Sequence, residues 1–125
     1  MDGQRFRVKL ERDARSPGRA RRDFGEWLAR LDCPDDVHDD VLLMISELVT
    51  NAVVHADSAP DVAAIHRDGR LVVEVHDSDP TPPVMRSDGG GPDGGFGLQL
   101  VEALSLRWGW EPTATGKRVW AEALC

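Results

Sequence analysis

Residues 6–10 alternate apolar and polar positions, the period of a strand with one face buried. From residue 16 the period changes. Ala20, Phe24, Trp27, Leu28 and Leu31 recur at helical spacing, with Arg19, Arg22 and Arg30 largely on the other side. Ser16-Pro17 reads as an N-cap followed by proline at the first helical position. Cys33-Pro34-Asp35-Asp36 breaks that helix and starts a second, which runs to about Ala56. Its early aspartates suit the positive end of the helix dipole. Residues 61–66 and 70–76 predict two strands joined by an Asp68-Gly69 hairpin turn. Residues 97–106 predict a short helix with Leu98, Val101 and Leu104 inward. Residues 106–110 and 117–124 predict a closing hairpin across Pro112 to Gly116. The order β-α-α-β-β-loop-α-β-β predicts an α+β sandwich, with helices on one face of a mixed, mainly antiparallel sheet.

Two stretches break this regular patterning. Between 78 and 95, nine of eighteen residues are glycine or proline. Loops beyond about 12–15 residues are uncommon in compact domains and are usually functional or disordered. The second stretch lies inside the second helix, where Glu47, Asn51 and His55 stand one turn apart. At about 100° per residue they share an arc of roughly 80°. Val41, Leu42, Ile45, Leu48, Val49, Ala52 and Val53 form the wide apolar face opposite. With Leu43, Met44 and Val54 beside it, the polar stripe reads as the wall of a pocket.

Composition narrows the classes. A chain of 125 residues is expected to form one domain with a single core, here residues 1–125. No apolar run approaches the ~20 residues of a membrane span, and no signal-peptide apolar region is visible. Cys33 and Cys125 have no metal-ligand spacing, so two reduced thiols in a cytoplasmic protein are expected. Residues 1–22 carry eight of the fifteen basic side chains against three acids, within a chain of net charge −7. That basic segment has no aromatic interleaving beyond Phe6, so a protein-contacting face is expected there and direct nucleic-acid binding is not.

Three segments could carry chemistry: the Glu47/Asn51/His55 stripe, Asp77 at a strand end, and Gly94-Gly95-Phe96-Gly97-Leu98 at the entry to a helix. Glycines before a helix let backbone N–H groups approach an anion. An amide such as Asn51 is a hard oxygen ligand suited to Mg²⁺ shared with phosphates. A carboxylate one turn away can take a proton from a nucleophilic hydroxyl. Singly, each has a plain structural reading. Gly-x-Gly makes tight turns, aspartate ends strands, and His55 caps or packs a helix end. The four tryptophans, Trp27, Trp108, Trp110 and Trp120, are read as core and sheet-face packing.

In combination they resemble the GHKL (Bergerat-fold) ATP-binding domains. Residues 47–55 resemble the N box, Asp77 the start of the G1 box, and Gly95-Phe96-Gly97-Leu98 the G2 box. Gly116-Lys117 stands where a final strand carries a Gly-Thr pair. The short format is most similar to the anti-sigma-factor serine/threonine kinases, which phosphorylate a STAS-domain anti-anti-sigma factor and sequester a sigma factor as homodimers. The resemblance implies ATP and Mg²⁺ as cofactors. It implies Asn51 as metal ligand, Glu47 as general base, and Asp77 as acceptor for the adenine amine. Gly95, Phe96, Gly97 and Leu98 would cradle the phosphates, and residues 78–94 would form the ATP lid.

The chain also departs from the pattern. The G1 box reads Asp-x-Gly-x-Gly in the family and Asp77-Ser78-Asp79-Pro80-Thr81 here. Pro92-Asp93 replaces the basic residue usual before the G2 glycines, and Lys117 replaces the threonine. Two functions are therefore carried forward: a kinase and anti-sigma switch, and an ATP-binding interaction module without significant transfer. A ligand-free scaffold is the third.

Overall fold

The computed structural model describes residues 3–83 and 97–125. Five strands, β1 (Gln4–Lys9), β2 (Asp61–Arg67), β3 (Arg70–Asp77), β4 (Arg107–Pro112) and β5 (Lys117–Leu124), form one sheet in the order β1-β2-β3-β5-β4. The helices are α1 (Ser16–Leu28), α2 (Asp35–Thr50) and α3 (Gly97–Leu104). The expected α+β architecture and element order are present. The expected mixed sheet is antiparallel in all four of its pairings.

Period-2 alternation decides which side of the sheet meets the helices. Val62 and Ala64 of β2, Leu71, Val73 and Val75 of β3, and Val119, Ala121 and Ala123 of β5 are buried in the core. Against them pack Phe24, Leu28, Val41, Met44, Ile45, Leu48 and Val49 from α1 and α2, and Leu98 and Val101 from α3. Phe6, Phe24 and Trp27 close one end of the core as an aromatic cluster, with centroids 5.4–5.6 Å apart. The β2–β3 turn is the expected one, with Asp68 and Gly69 both at positive φ (53° and 74°).

Four local details differ from the sequence expectation. Ser16 is the first residue inside α1, and its hydroxyl donates to the Glu11 carbonyl instead of capping the helix. The second helix does not run as one α-helix to Ala56. It changes at Asn51 into a π-helical turn, Asn51–His55, where the Ala56 N–H donates to the Asn51 carbonyl at 3.0 Å. The third helix ends at Leu104, and Leu106 is exposed. Cys33 and Cys125 are not free thiols: 92 positions apart in sequence, they are joined in a disulfide with Cα atoms 4.8 Å apart. That separation lies within the usual disulfide range. Among the described residues no helix is long and apolar enough to cross a membrane.

Candidate functional site

The site forms where α2 ends and β3 and β5 present their ends. Asp77 has the same parity as Leu71, Val73 and Val75, and Lys117 the same parity as Val119, Ala121 and Ala123. Both side chains therefore face the helix layer, each as the last inward position on its strand. They are direct register partners. Lys117 Nζ lies 3.1 Å from Asp77 Oδ2 and 3.2 Å from Oδ1, with both side chains at least nine-tenths buried. Lys117 Nζ also donates to the Asp79 carbonyl at 3.0 Å. The Asp79 N–H donates to Asp77 Oδ1 at 2.9 Å, so the altered G1 segment folds back as an Asx-type turn. Its own side chain then accepts from the Thr81 N–H, which holds the Asp79 carboxyl below its ordinary range. Ser58 fixes the same segment from below by accepting from the Ser78 N–H at 2.9 Å.

Gly116 is required by this arrangement. A Cβ there would stand 1.9 Å from the Asp77 carbonyl oxygen and 2.6 Å from Ser78 Cα. Only a residue without a side chain lets the start of β5 pass so close to the G1 segment.

One cavity collects most of the residues expected at the site. Its walls include Asn51, His55, Asp77, Gly97, Leu98 and Lys117, with Leu48, Ala52, Val75 and Val119 as apolar lining. An apolar cleft with a few convergent polar groups is the usual character of a small-ligand site. Asn51 sits at the junction of α2 and the π turn, a local widening often found at functional sites. Glu47 lies one turn deeper, beside the cavity instead of lining it. A Cβ on Gly97 would stand 3.2 Å from both Glu47 Oε2 and Asn51 Oδ1. The start of α3 thus lies directly against the Glu47/Asn51 pair, and neither of those side chains bonds to another described residue. Burial pushes the Glu47 carboxyl above its ordinary range.

Gly95 and Phe96 lie outside the described residues, as does the expected lid from 84 onward. The flanks expected for the polar stripe are different. Met44 is fully buried in the core, and Leu43 and Val54 are exposed at 40% and 47%. The apolar walls come from Leu48, Val75, Leu98 and Val119 instead. Lys117 lines this pocket as well, and sequence reasoning does not place it there. The available signal was a lysine at an inward-facing position of an otherwise apolar strand face.

Asp77 retains acceptor capacity, because a carboxylate offers about four lone-pair sites. The space above Gly97 is one that a side chain would fill. The Asp77 acceptor, the Asn51 amide, the half-buried Glu47 carboxylate and the opening at Gly97 are group types that a Mg²⁺-nucleotide needs.

Residues 10–122 match the family model described as the histidine kinase-like ATPase domain. The chain belongs to that family. Membership implies nucleotide binding, and the pocket between α2, β3, β5 and α3 has the chemistry for it. No curated protein matches the chain. Among solved structures it is similar to "The crystal structure of the RsbU and RsbW domains of Rv1364c from Mycobacterium tuberculosis", with TM-score 0.76 and 23% identity. The match covers 97% of this chain and 32% of that one, so this chain spans about a third of that chain's length. At that identity the likeness is one of fold.

Proposed function

We propose that this histidine kinase-like domain binds Mg²⁺-ATP between α2 and α3 and transfers its γ-phosphoryl group to a serine or threonine of a STAS-domain anti-anti-sigma factor. In the same proposal it acts as an anti-sigma factor, holds its sigma factor as a homodimer in the cytoplasm, and uses residues 78–94 as its lid. The observation that carries the reading is the close approach of Gly97 to Glu47 and Asn51, where an added Cβ would stand 3.2 Å from an oxygen of each, in the wall of a pocket that Asp77 also lines.

Each residue then has a defined task. Asp77 would accept a hydrogen bond from the adenine amine. Asn51 would hold the metal, and Gly97 and Leu98 would offer backbone N–H groups to the phosphates, the role also proposed for Gly95 and Phe96. Bound Mg²⁺-ATP supplies the transferable phosphoryl group and neutralises its charge. Glu47 takes the proton of the attacking hydroxyl, and its upward-shifted pKa brings it nearer the working pH of a general base.

The Lys117–Asp77 ion pair favours a second reading. A carboxylate already engaged by a buried ammonium supports nucleotide binding as a signal without appreciable transfer. Labelled γ-phosphate transfer to candidate STAS-domain proteins, with Glu47→Ala as control, separates the two. Transfer that is lost in the variant supports the kinase. Mg²⁺-ATP binding by calorimetry with no transfer to any candidate supports the module.

A further inference from the structure

The helix-facing side of the sheet ends in polar groups at both ends. One end is the Asp77–Lys117 pair. At the other, His66 continues the inward parity of Val62 and Ala64, and Cys125 continues that of Val119, Ala121 and Ala123. Cys33, in the connection between α1 and α2, comes down over both. One ligand atom from each of Cys33, His66 and Cys125 lies within 4.8 Å of the others, and all three residues are half-buried. This cluster stands roughly 26 Å from Lys117 by the rise of an eight-residue strand step, so the nucleotide pocket does not use it.

The cluster is held by main chain. The Cys125 N–H donates to the Gly69 carbonyl at 2.9 Å, which extends β5 one residue past its end along the β2–β3 hairpin. His66 Nε2 lies 2.9 Å from the Cys125 carbonyl oxygen. With Nε2 donating there, Nδ1 carries the free lone pair. A carbonyl on one ring nitrogen is the usual device that fixes the tautomer of a metal-bound histidine.

We propose that in the reduced chain Cys33, His66 and Cys125 bind a thiophilic divalent cation of the zinc class, and that the disulfide and the metal complex are alternative states of one site. Two thiolates and an imidazole suit zinc, with a fourth tetrahedral position left to water. The set is wrong for Mg²⁺, which takes oxygen ligands. Exclusion between the states is stoichiometric. Forming the S–S bond removes two electrons and two protons from the thiols. Hydrogen peroxide accepts both electrons and leaves as two waters, and neither sulfur is then a thiolate ligand.

The test is titration of the full chain, reduced with a phosphine and kept anaerobic, with Co²⁺ as a visible probe. The expected result is one Co²⁺ per chain, with the absorption of a tetrahedral thiolate complex, displaced by Zn²⁺. C33S and C125S each lose that absorption. H66N weakens Co²⁺ affinity at least by the ~10–100-fold that loss of an outer-shell partner brings. Peroxide-oxidised chain binds none. Alkylating the reduced wild-type chain must also abolish the complex, which keeps the test independent of whether any variant folds. Absence of a complex in reduced wild type, equal binding by C33S and C125S, or equal binding after oxidation overturns the proposal.

Discussion

Asp77 and Lys117 face each other across β3 and β5, and Lys117 Nζ closes to 3.1 Å on the carboxylate inside the pocket wall. Lys117 is thus the counter-charge of Asp77, the residue proposed above to accept from adenine. The pair is a consequence of strand register: both residues are the last inward positions of their strands. Its cost and its value both follow from burial.

The first prediction is that Lys117→Ala destabilises the chain by about 3–5 kcal/mol, since removing one partner leaves an uncompensated buried carboxylate. Replacing both, with Asp77→Ala and Lys117→Ala together, should cost clearly less than the sum of the single changes. Urea unfolding of the four proteins in the cycle measures this. A loss below about 1 kcal/mol in Lys117→Ala, in the range of exposed ion pairs, would refute a buried, stabilising role.

Much of this was legible in the sequence, and the exceptions have physical causes. Helical and strand periods gave every element in order, because one buried face per element leaves a clear period. Asp68-Gly69 gave its turn because both positions need positive φ. The Asp77–Lys117 pair was not legible. Alternation tells which way a side chain faces, but the register between strands 40 positions apart is set by packing. The same limit hid the approach of Cys33 to Cys125. The π turn at Asn51 was also invisible, since an i+5 hydrogen bond leaves the 3.6-residue pattern nearly unchanged over one turn. In the sequence Lys117 stands out only as a substitution in a motif, although its inward parity on β5 places it with the pocket-facing residues.

Gly116→Ala should fail through a backbone clash. Its Cβ would meet the Asp77 carbonyl oxygen at 1.9 Å, and because the backbone fixes where a Cβ stands, no side-chain rotation relieves the contact. The expected loss lies at or above the ~1–3 kcal/mol usual for overpacking. Because the displaced atoms belong to Asp77 and Ser78, adenine-nucleotide affinity should fall with stability. A variant as stable as wild type by thermal unfolding would show that the two segments separate readily.

Asn51→Ala should abolish the Mg²⁺-dependent part of nucleotide binding while leaving the fold intact, because its side chain bonds to no other described residue. For wild type, ligand at 100 times its Kd adds about 2.7 kcal/mol to stability. Thermal shifts with Mg²⁺-ATP, and with ATP in a chelator, make the comparison. An Asn51→Ala protein with the full Mg²⁺-dependent shift would remove this residue from the metal site.

The last prediction concerns pH and Glu47, whose carboxyl burial pushes above its ordinary range. A folded-state pKa above the unfolded one means that the folded chain holds its proton more tightly. Stability from this group is therefore fully present below the unfolded pKa and is lost as pH rises through the folded one. At neutral pH the ionised Glu47 is a net cost, tolerated in the proposal because the proton acceptor must be free. Glu47→Gln should then raise the urea midpoint at pH 7 relative to wild type, and the difference should shrink toward pH 4 as wild type takes up its proton. Transfer should change in the opposite sense, rising in wild type as pH climbs through the shifted pKa and staying flat and low in Glu47→Gln. Equal midpoints at both pH values would mean that Glu47 is better solvated than its place beside Gly97 implies. A transfer rate in Glu47→Gln matching wild type would take the general base away from this residue.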